Sequence, residues 1–243
     1  MSQLNLNHIF KNRILSTLKT EDLELMLPHL QPVTLKQHDV ICEVGEIFKY
    51  IYFMEEGVAS VLKRMEDGSS VEVGMVGFEG ITPIAALLGD KISDQHIVIQ
   101  LPGHAFKIDV ASCKIAFEKN ERFRRSVLNF INAFLNFGAQ TAACNRLHSV
   151  EKRLIRWLLV SSDRFQSNVL PLTQEYLAAM LGVRRVGVTE SAGGLQRSGL
   201  IHYTRGNITI LDRPELEQIA CECYGTDREQ FSQLLSLNYT IVR

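Results

Sequence analysis

LTQEYLAAMLGVRRVGVTESAGGLQRSGLIHYTRGNITIL, residues 172 to 211, decides how the rest of the chain is to be understood. Thr173 stands where a helix N-cap is wanted and Glu175 lies in the turn behind it, so a short helix is predicted over 174–181. Gly182 ends that helix, because glycine accepts the left-handed backbone of a C-terminal turn, and a second helix over 185–197 begins within three residues. Ala178 and Leu181 can pack against Val188, Ala192 and Leu195, which leaves the N-terminal end of the second helix exposed. Arg184 and Arg185 occupy that end. A helix N-terminus favours anions, so cations placed there point to a polyanionic neighbour. Residues 200–210 then form two short strands around an Arg205-Gly206-Asn207 turn, a wing beside the second helix.

Upstream, SVEKRLIRWLLVSSDRF (149–165) has helical periodicity, with Leu154, Trp157, Leu158 and Phe165 inward and Lys152, Arg153 and Arg156 outward. Before it, Val127, Phe130, Phe134, Phe137, Thr141 and Cys144 fall at alternating steps of three and four, the seam of a long helix. A second stripe, Leu128, Ile131, Leu135, Ala139 and Ala142, lies about 100° round. One face suits the preceding domain and the other a second copy of the chain; the alternative is a core helix serving only its own domain. The expected dimer seam is the Val127 to Cys144 set. From 33 to 108, short Val-, Ile-, Phe- and Tyr-rich runs are separated by turns such as Asp67-Gly68, and no long helix alternates with them. That pattern predicts an antiparallel β-roll rather than parallel βαβ architecture.

The expected class is therefore α+β: a β-roll domain over 1–120, a dimerisation helix over 121–148 and a winged helix-turn-helix domain over 149–243. A chain of 243 residues, 46% hydrophobic and 22% charged, suits folded domains and excludes disordered and fibrous classes. Charge divides along it: residues 1–120 carry 11 basic and 16 acidic side chains, a net of −5, whereas 121–243 carry 15 and 11, a net of +4. The basic half is the one to face a polyanion. Five scattered cysteines do not make a secreted disulfide framework, the N-terminus lacks a signal-peptide core, and 127–144 is too rich in Asn and Gln to span a membrane. A cytoplasmic, non-membrane protein is expected.

Residues 172–201, followed by the wing and Asp212-Arg213, resemble the DNA-binding end of the Crp/Fnr family of bacterial transcription regulators, and the order of β-roll, long helix and reader agrees over roughly 18–224. The resemblance implies a homodimer that reads a near-palindromic site on double-stranded DNA, its recognition helices entering major grooves about 34 Å apart, and it implies contact with RNA polymerase. It implies no enzymatic activity. The family's base-reading positions fall on Arg185, Val186 and Glu190; only Arg185 keeps the family's residue, so a different operator is expected. Arg185 suits a bidentate contact to guanine and Glu190 a cytosine amino group. Thr173, Arg184, Thr189 and Arg205 are assigned to phosphate.

Cyclic-nucleotide members of the family use a Gly-Glu pair for ribose and an Arg-Ser pair for phosphate. Here Gly77, Glu79 and Gly80 keep the first turn, but Ser93 and Asp94 stand near the place of the second. Asp94 would repel a phosphate, so tight binding of cyclic AMP is not expected. No cofactor is predicted and the effector is unknown. An N-terminal cysteine cluster for iron–sulfur is absent, and Cys221-x-Cys223 is expected to be a half-buried pair on a helix starting near Pro214 rather than a metal or redox site. Cys42, Cys113 and Cys144 are expected to be packing residues, and His96 and His104 lack the partners of a cupin metal site. Two other possibilities stay open: a regulator with no effector at all, and a β-roll metal-binding enzyme with a helical tail.

Overall fold

The computed structural model describes residues 9–236. The first eight residues of the stretch weighed as a signal peptide, and the outer ends of the 1–120 and 149–243 segments, lie outside the described residues. Two short helices, α1 (Arg13–Ser16) and α2 (Thr20–Leu23), lead into the strands β1 (Gln31–Leu35), β2 (Val40–Cys42), β3 (Tyr50–Met54), β4 (Val58–Arg64), β5 (Ser70–Val76) and β6 (Ile81–Thr82). After a four-residue helix, α3 (Ala85–Leu88), come β7 (His96–Leu101) and β8 (Gly103–Asp109). The strands form two antiparallel sheets, in the orders β1-β8-β3-β6 and β2-β7-β4-β5. Ile51, Phe53, Ile81, Ile97, Ile99 and Ile108 are buried in the core that these sheets share. The roll is thus the expected one, and the β4–β5 hairpin closes through Gly68, whose φ of +82° only glycine adopts without strain.

Two helices follow, α4 (Val110–Lys119) and the 27-residue α5 (Glu121–Leu147). Asp109 caps the first through the Ser112 N–H, and Asn120 caps the second through that of Phe123 (2.8 Å). The helix α4 was not legible as a separate element. Beyond α5 lie α6 (Val150–Phe165), β9 (Val169–Leu170), α7 (Gln174–Leu181), α8 (Arg185–Arg197), β10 (Ile201–Thr204), β11 (Asn207–Ile210), α9 (Arg213–Gln218) and α10 (Glu222–Ser236). A second core joins these helices to Val58, Leu62, Met75, Val98 and Leu101 of the roll, so the reader packs directly on the β2-β7-β4-β5 sheet.

The face of α5 expected to form the dimer seam is covered by the chain itself. Val127, Phe130, Phe137 and Cys144, assigned to the dimer seam, are buried by their own chain, Phe134 is half-buried, and Thr141 accepts a hydrogen bond from Arg156 Nη2 (3.0 Å). The reason lies in the roll. A Cβ on Gly74 would sit 2.3 Å from the Phe134 ring, and one on Gly80 would sit 2.0 Å from that of Phe130, so glycines in the roll admit the aromatic stripe. The opposite stripe stays outside: Leu128 is 47% and Leu135 65% exposed, with Ala139 and Ala142 beside them, although Ile131 turns inward.

Helix α10 is a further departure. It returns across α5 and α6, placing Leu234 in the roll's core and Asp227 against Arg156 (Nε to Oδ2, 2.6 Å). Arg156, expected in solvent, is therefore buried. Lys152 also folds inward to the Ile219 carbonyl, and Arg153 to Asn145 (2.9 Å) and the Leu181 carbonyl, where it closes the C-terminal end of α7.

Candidate nucleic-acid interface and the effector turn

The reader is built by local signals. The Thr173 hydroxyl oxygen accepts from the Tyr176 N–H (3.2 Å), and Gly182, at φ +61°, ends α7 with the Val183 N–H returning to the Ala178 carbonyl (3.0 Å). Val188, Ala192 and Leu195 are buried against α6 and α7. The opposite side of α8 presents Arg185, Val186, Thr189 and Glu190, all exposed, with Val186 at 65%. These residues occupy positions i, i+1, i+4 and i+5, so they share one helical face. Arg184 is the N-cap of α8 and forms no side-chain cap, and the first turn holds no acidic residue, unlike α6 with Glu151 and α7 with Glu175. The positive end of the helix dipole is thereby left facing outward beside two guanidinium groups.

Thr173 and Arg205 are exposed on the same module, the first at the start of α7 and the second in the wing turn before Gly206. Thr189 Oγ1 lies 2.8 Å from Gln174 Oε1 and 3.0 Å from the Arg185 carbonyl and donates its one proton to one of them, so it braces the reader as well as facing outward.

Of the expected effector residues, Gly77, Glu79 and Gly80 share one turn, whereas Ser93 and Asp94 are engaged with other partners. Glu79 is 2% exposed, and its Oε1 accepts from Arg164 Nε on α6 (2.8 Å) and from the Gly77 N–H (3.1 Å). The guanidinium of Arg164 lies over the Phe137 and Phe231 rings (4.8 and 5.4 Å to the centroids). Gly77 has no room for a Cβ beside Arg164, and Gly80 none beside Phe130. The space left here, lined by Met75, Glu79, Phe130, Phe134, Arg164 and Phe231, is a cavity of about 20 Å³, room for a water molecule and not for a nucleotide. Ser93 is buried in its own turn, donating to the Gln95 carbonyl (2.8 Å), and Asp94 points to solvent and pairs with Lys63 (2.5 Å). The turn at 77–80 thus binds the chain's own arginine.

A second polar group at the roll–reader boundary was not foreseen. Glu72 on β5 is wholly buried; Trp157 Nε1 of α6 donates to its Oε1 (2.9 Å), and Ser60 bonds its Oε2. Burial pushes its carboxyl up to about 7, against the opposing pull of the Ser60 and Trp157 hydrogen bonds and of Arg164 and Arg156. Ser60 is also bonded to Gln100 Oε1. One hydroxyl proton cannot serve two acceptors, and a protonated Glu72 that donates to Ser60 resolves this.

The histidines considered for a cupin site stay apart: His96 lies 2.8 Å from Glu43, and His104 faces Thr34 (3.4 Å). Cys42 and Cys113 are buried packing residues whose thiols burial pushes up, as expected. Cys221 and Cys223 are buried rather than half-buried, and they meet Cys144 of α5 and His148, the residue that caps its C-terminal end. An i, i+4 Cys-x3-His at the end of a helix was the available sequence signal.

Residues 152–219 match the family model described as a Crp-like helix-turn-helix domain. The fold is shared, over 76% to 80% of the chain, with solved transcription regulators. The c-di-GMP responsive global regulator CLP of Xanthomonas campestris is similar at a TM-score of 0.66 and 15% identity, over 80% of this chain and 100% of that one. Two CRP-family transcriptional regulators of Thermus thermophilus align at TM-scores of 0.64, with 21% identity over 78% of this chain and 98% of the other in one case, and with 18% identity over 76% and 95% in the second. A comparison with curated protein sequences gives no match. Residues 152–219 thus carry a Crp-like helix-turn-helix domain, and the fold is similar to that of solved transcription regulators. Among the described residues, no helix is long and apolar enough to cross a membrane.

Proposed function

We propose that the protein is a sequence-specific transcription regulator that binds a near-palindromic operator as a homodimer, reading bases through Arg185, Val186 and Glu190. The carrying observation is the division of α8 into a buried face, Val188, Ala192 and Leu195, and an exposed face headed by Arg184 and Arg185 at an uncapped N-terminus. Thr173, Arg184, Thr189 and Arg205 surround that face and suit phosphate positioning. Genomic footprinting of the purified protein at fixed salt tests this. Arg185→Ala should lose about 1 to 3 kcal/mol of affinity and relax one operator position. Footprints unchanged in that variant would refute the assignment.

The dimer contact is assigned to the exposed stripe of α5, where Leu128, Leu135 and Ala142 recur every seven residues with Asn132 and Ala139 between them. Leu135→Glu should give a monomer in sedimentation and abolish operator binding together. A dimer that survives this change would place the contact elsewhere. Cyclic AMP is not the effector in this proposal: Glu79 is occupied by Arg164, and Asp94 lies at the roll's rim. The footprint should therefore be the same with and without cyclic AMP, and dependence on the nucleotide would overturn that part. The Xanthomonas regulator of similar fold is c-di-GMP responsive, which makes c-di-GMP a second nucleotide to add. Contact with RNA polymerase, and a place in the cytoplasm beside the DNA, belong to the same proposal.

A further inference from the structure

Cys144 lies in the last turn of α5, and His148 is the C-cap of that helix, its N–H donating to the Cys144 carbonyl (3.0 Å). Cys221 and Cys223 flank the first residue of α10. The packing of α10 on α5 brings all four together, and one donor atom from each lies within 4.8 Å of the other three. The three cysteines are 1%, 7% and 2% exposed, and none of the five cysteines is in a disulfide.

The separations have a specific chemical meaning. Tetrahedral Zn²⁺ holds thiolates at about 2.3 Å and imidazole nitrogen at about 2.0 Å, which sets sulfur–sulfur distances of about 3.8 Å and sulfur–nitrogen distances of about 3.5 Å. Cys144 Sγ is 3.8 Å from Cys221 Sγ, and Cys223 Sγ is 3.6 Å from His148 Nδ1. Four donors this close surround one ion; a multi-iron cluster needs its ligands spread over several metal atoms.

The surroundings suit bound thiolates. Gln140 Nε2 donates to Cys223 Sγ (3.0 Å). His148 uses its other nitrogen, Nε2, toward Glu222 Oε1 (3.3 Å), which leaves Nδ1 directed at the cysteines. A carboxylate behind a ligating histidine fixes the ring and its tautomer.

We propose that Cys144, His148, Cys221 and Cys223 form a binding site for one divalent, borderline-soft cation, Zn²⁺, in a Cys3His set. The site spans the His148–Ser149 joint, where α5 ends and α6 begins, so the ion ties the start of α10 to the end of the long helix. The reader's orientation on α5 then depends on metal. Ligation displaces the thiol protons to solvent and involves no change of oxidation state.

The test uses the full chain, reduced, stripped with a chelator and titrated with Zn²⁺ and, in parallel, Co²⁺. The expected result is one equivalent per chain and, for Co²⁺, the visible spectrum of a tetrahedral site with thiolate charge transfer. Glu222→Gln should weaken Zn²⁺ about tenfold, and Cys223→Ser or His148→Ala by more than the roughly 100-fold upper range of such outer positions. Cys42→Ser, away from the cluster, should change nothing. If Cys223→Ser does not fold, the Co²⁺ spectrum of the unsubstituted chain still reports the ligand set. Failure of the reduced chain to take up a stoichiometric ion overturns the proposal, as does uptake undiminished in folded Cys223→Ser. A Cys144–Cys221 disulfide whose reduction yields no Zn²⁺ binding also overturns it. Operator binding is a separate readout, so loss of the reader assignment would leave the metal result standing.

Discussion

The reader and the turn at 77–80 carry comparably clear motifs, yet the first presents its residues outward while the second spends them on the chain itself. In the reader, Arg185, Val186 and Glu190 have no apolar partner to fill and remain exposed. In the turn, Glu79 is matched by Arg164 from α6, and Gly80 is matched by the Phe130 ring. A motif that is complete within twenty residues keeps its side chains on the surface. A motif whose ligand site must be closed by a distant helix depends on what that helix brings, and here it brings an arginine and aromatic rings.

The largest expected effect breaks the Glu79–Arg164 pair. Both side chains are nearly buried, at 2% and 9% exposed, so Arg164→Ala leaves a carboxylate with neither water nor partner and should cost about 3 to 5 kcal/mol in denaturant unfolding. Replacing both residues, as Glu79→Gln with Arg164→Met, should recover much of that loss, because no buried charge is stranded. A single variant as stable as the parent would show that the turn is not held by its arginine, and the contrast with the reader would collapse.

Next in size is the pH dependence of the same boundary. The Glu72 carboxyl sits at about 7 in the folded chain against an ordinary 4.5. Between those values the folded chain keeps a proton that the unfolded chain has released, so this contribution is fully present below about 4.5 and is lost as pH rises through 7. The whole shift corresponds to about 3 kcal/mol. Urea unfolding at pH 5 and pH 8 measures it, and Glu72→Gln should flatten the difference. An equal slope in that variant would assign the effect to other groups.

The helices 174–181 and 185–197 were legible because Thr173, Gly182 and the apolar spacing are local instructions. The roll was legible from its alternation and turns. The faces of α5 were not, since both stripes are apolar and the choice between them is made by Gly74 and Gly80, some fifty residues away. Helix α10 was illegible for a related reason: Asp227 looks like a surface residue until Arg156 is placed 71 residues upstream beside it. The Cys3His cluster is assembled by the same contact from two halves that are each unremarkable alone.

The smallest expected effects separate cap from contact within the reader itself. Thr173→Ala removes the acceptor for the Tyr176 N–H and should cost about 1 kcal/mol of stability, while Thr173→Ser retains the cap. Neither change removes a charge, so the dependence of operator affinity on salt should keep its slope even if affinity falls. Arg205→Ala is the converse: exposed at the wing turn, it should leave stability within about 0.5 kcal/mol. It should weaken all DNA sequences alike and lower the salt slope by about one. Measuring both variants across a salt series therefore tells a residue that shapes the reader from one that holds the phosphate. A salt slope lowered by Thr173→Ala and untouched by Arg205→Ala would exchange the two roles.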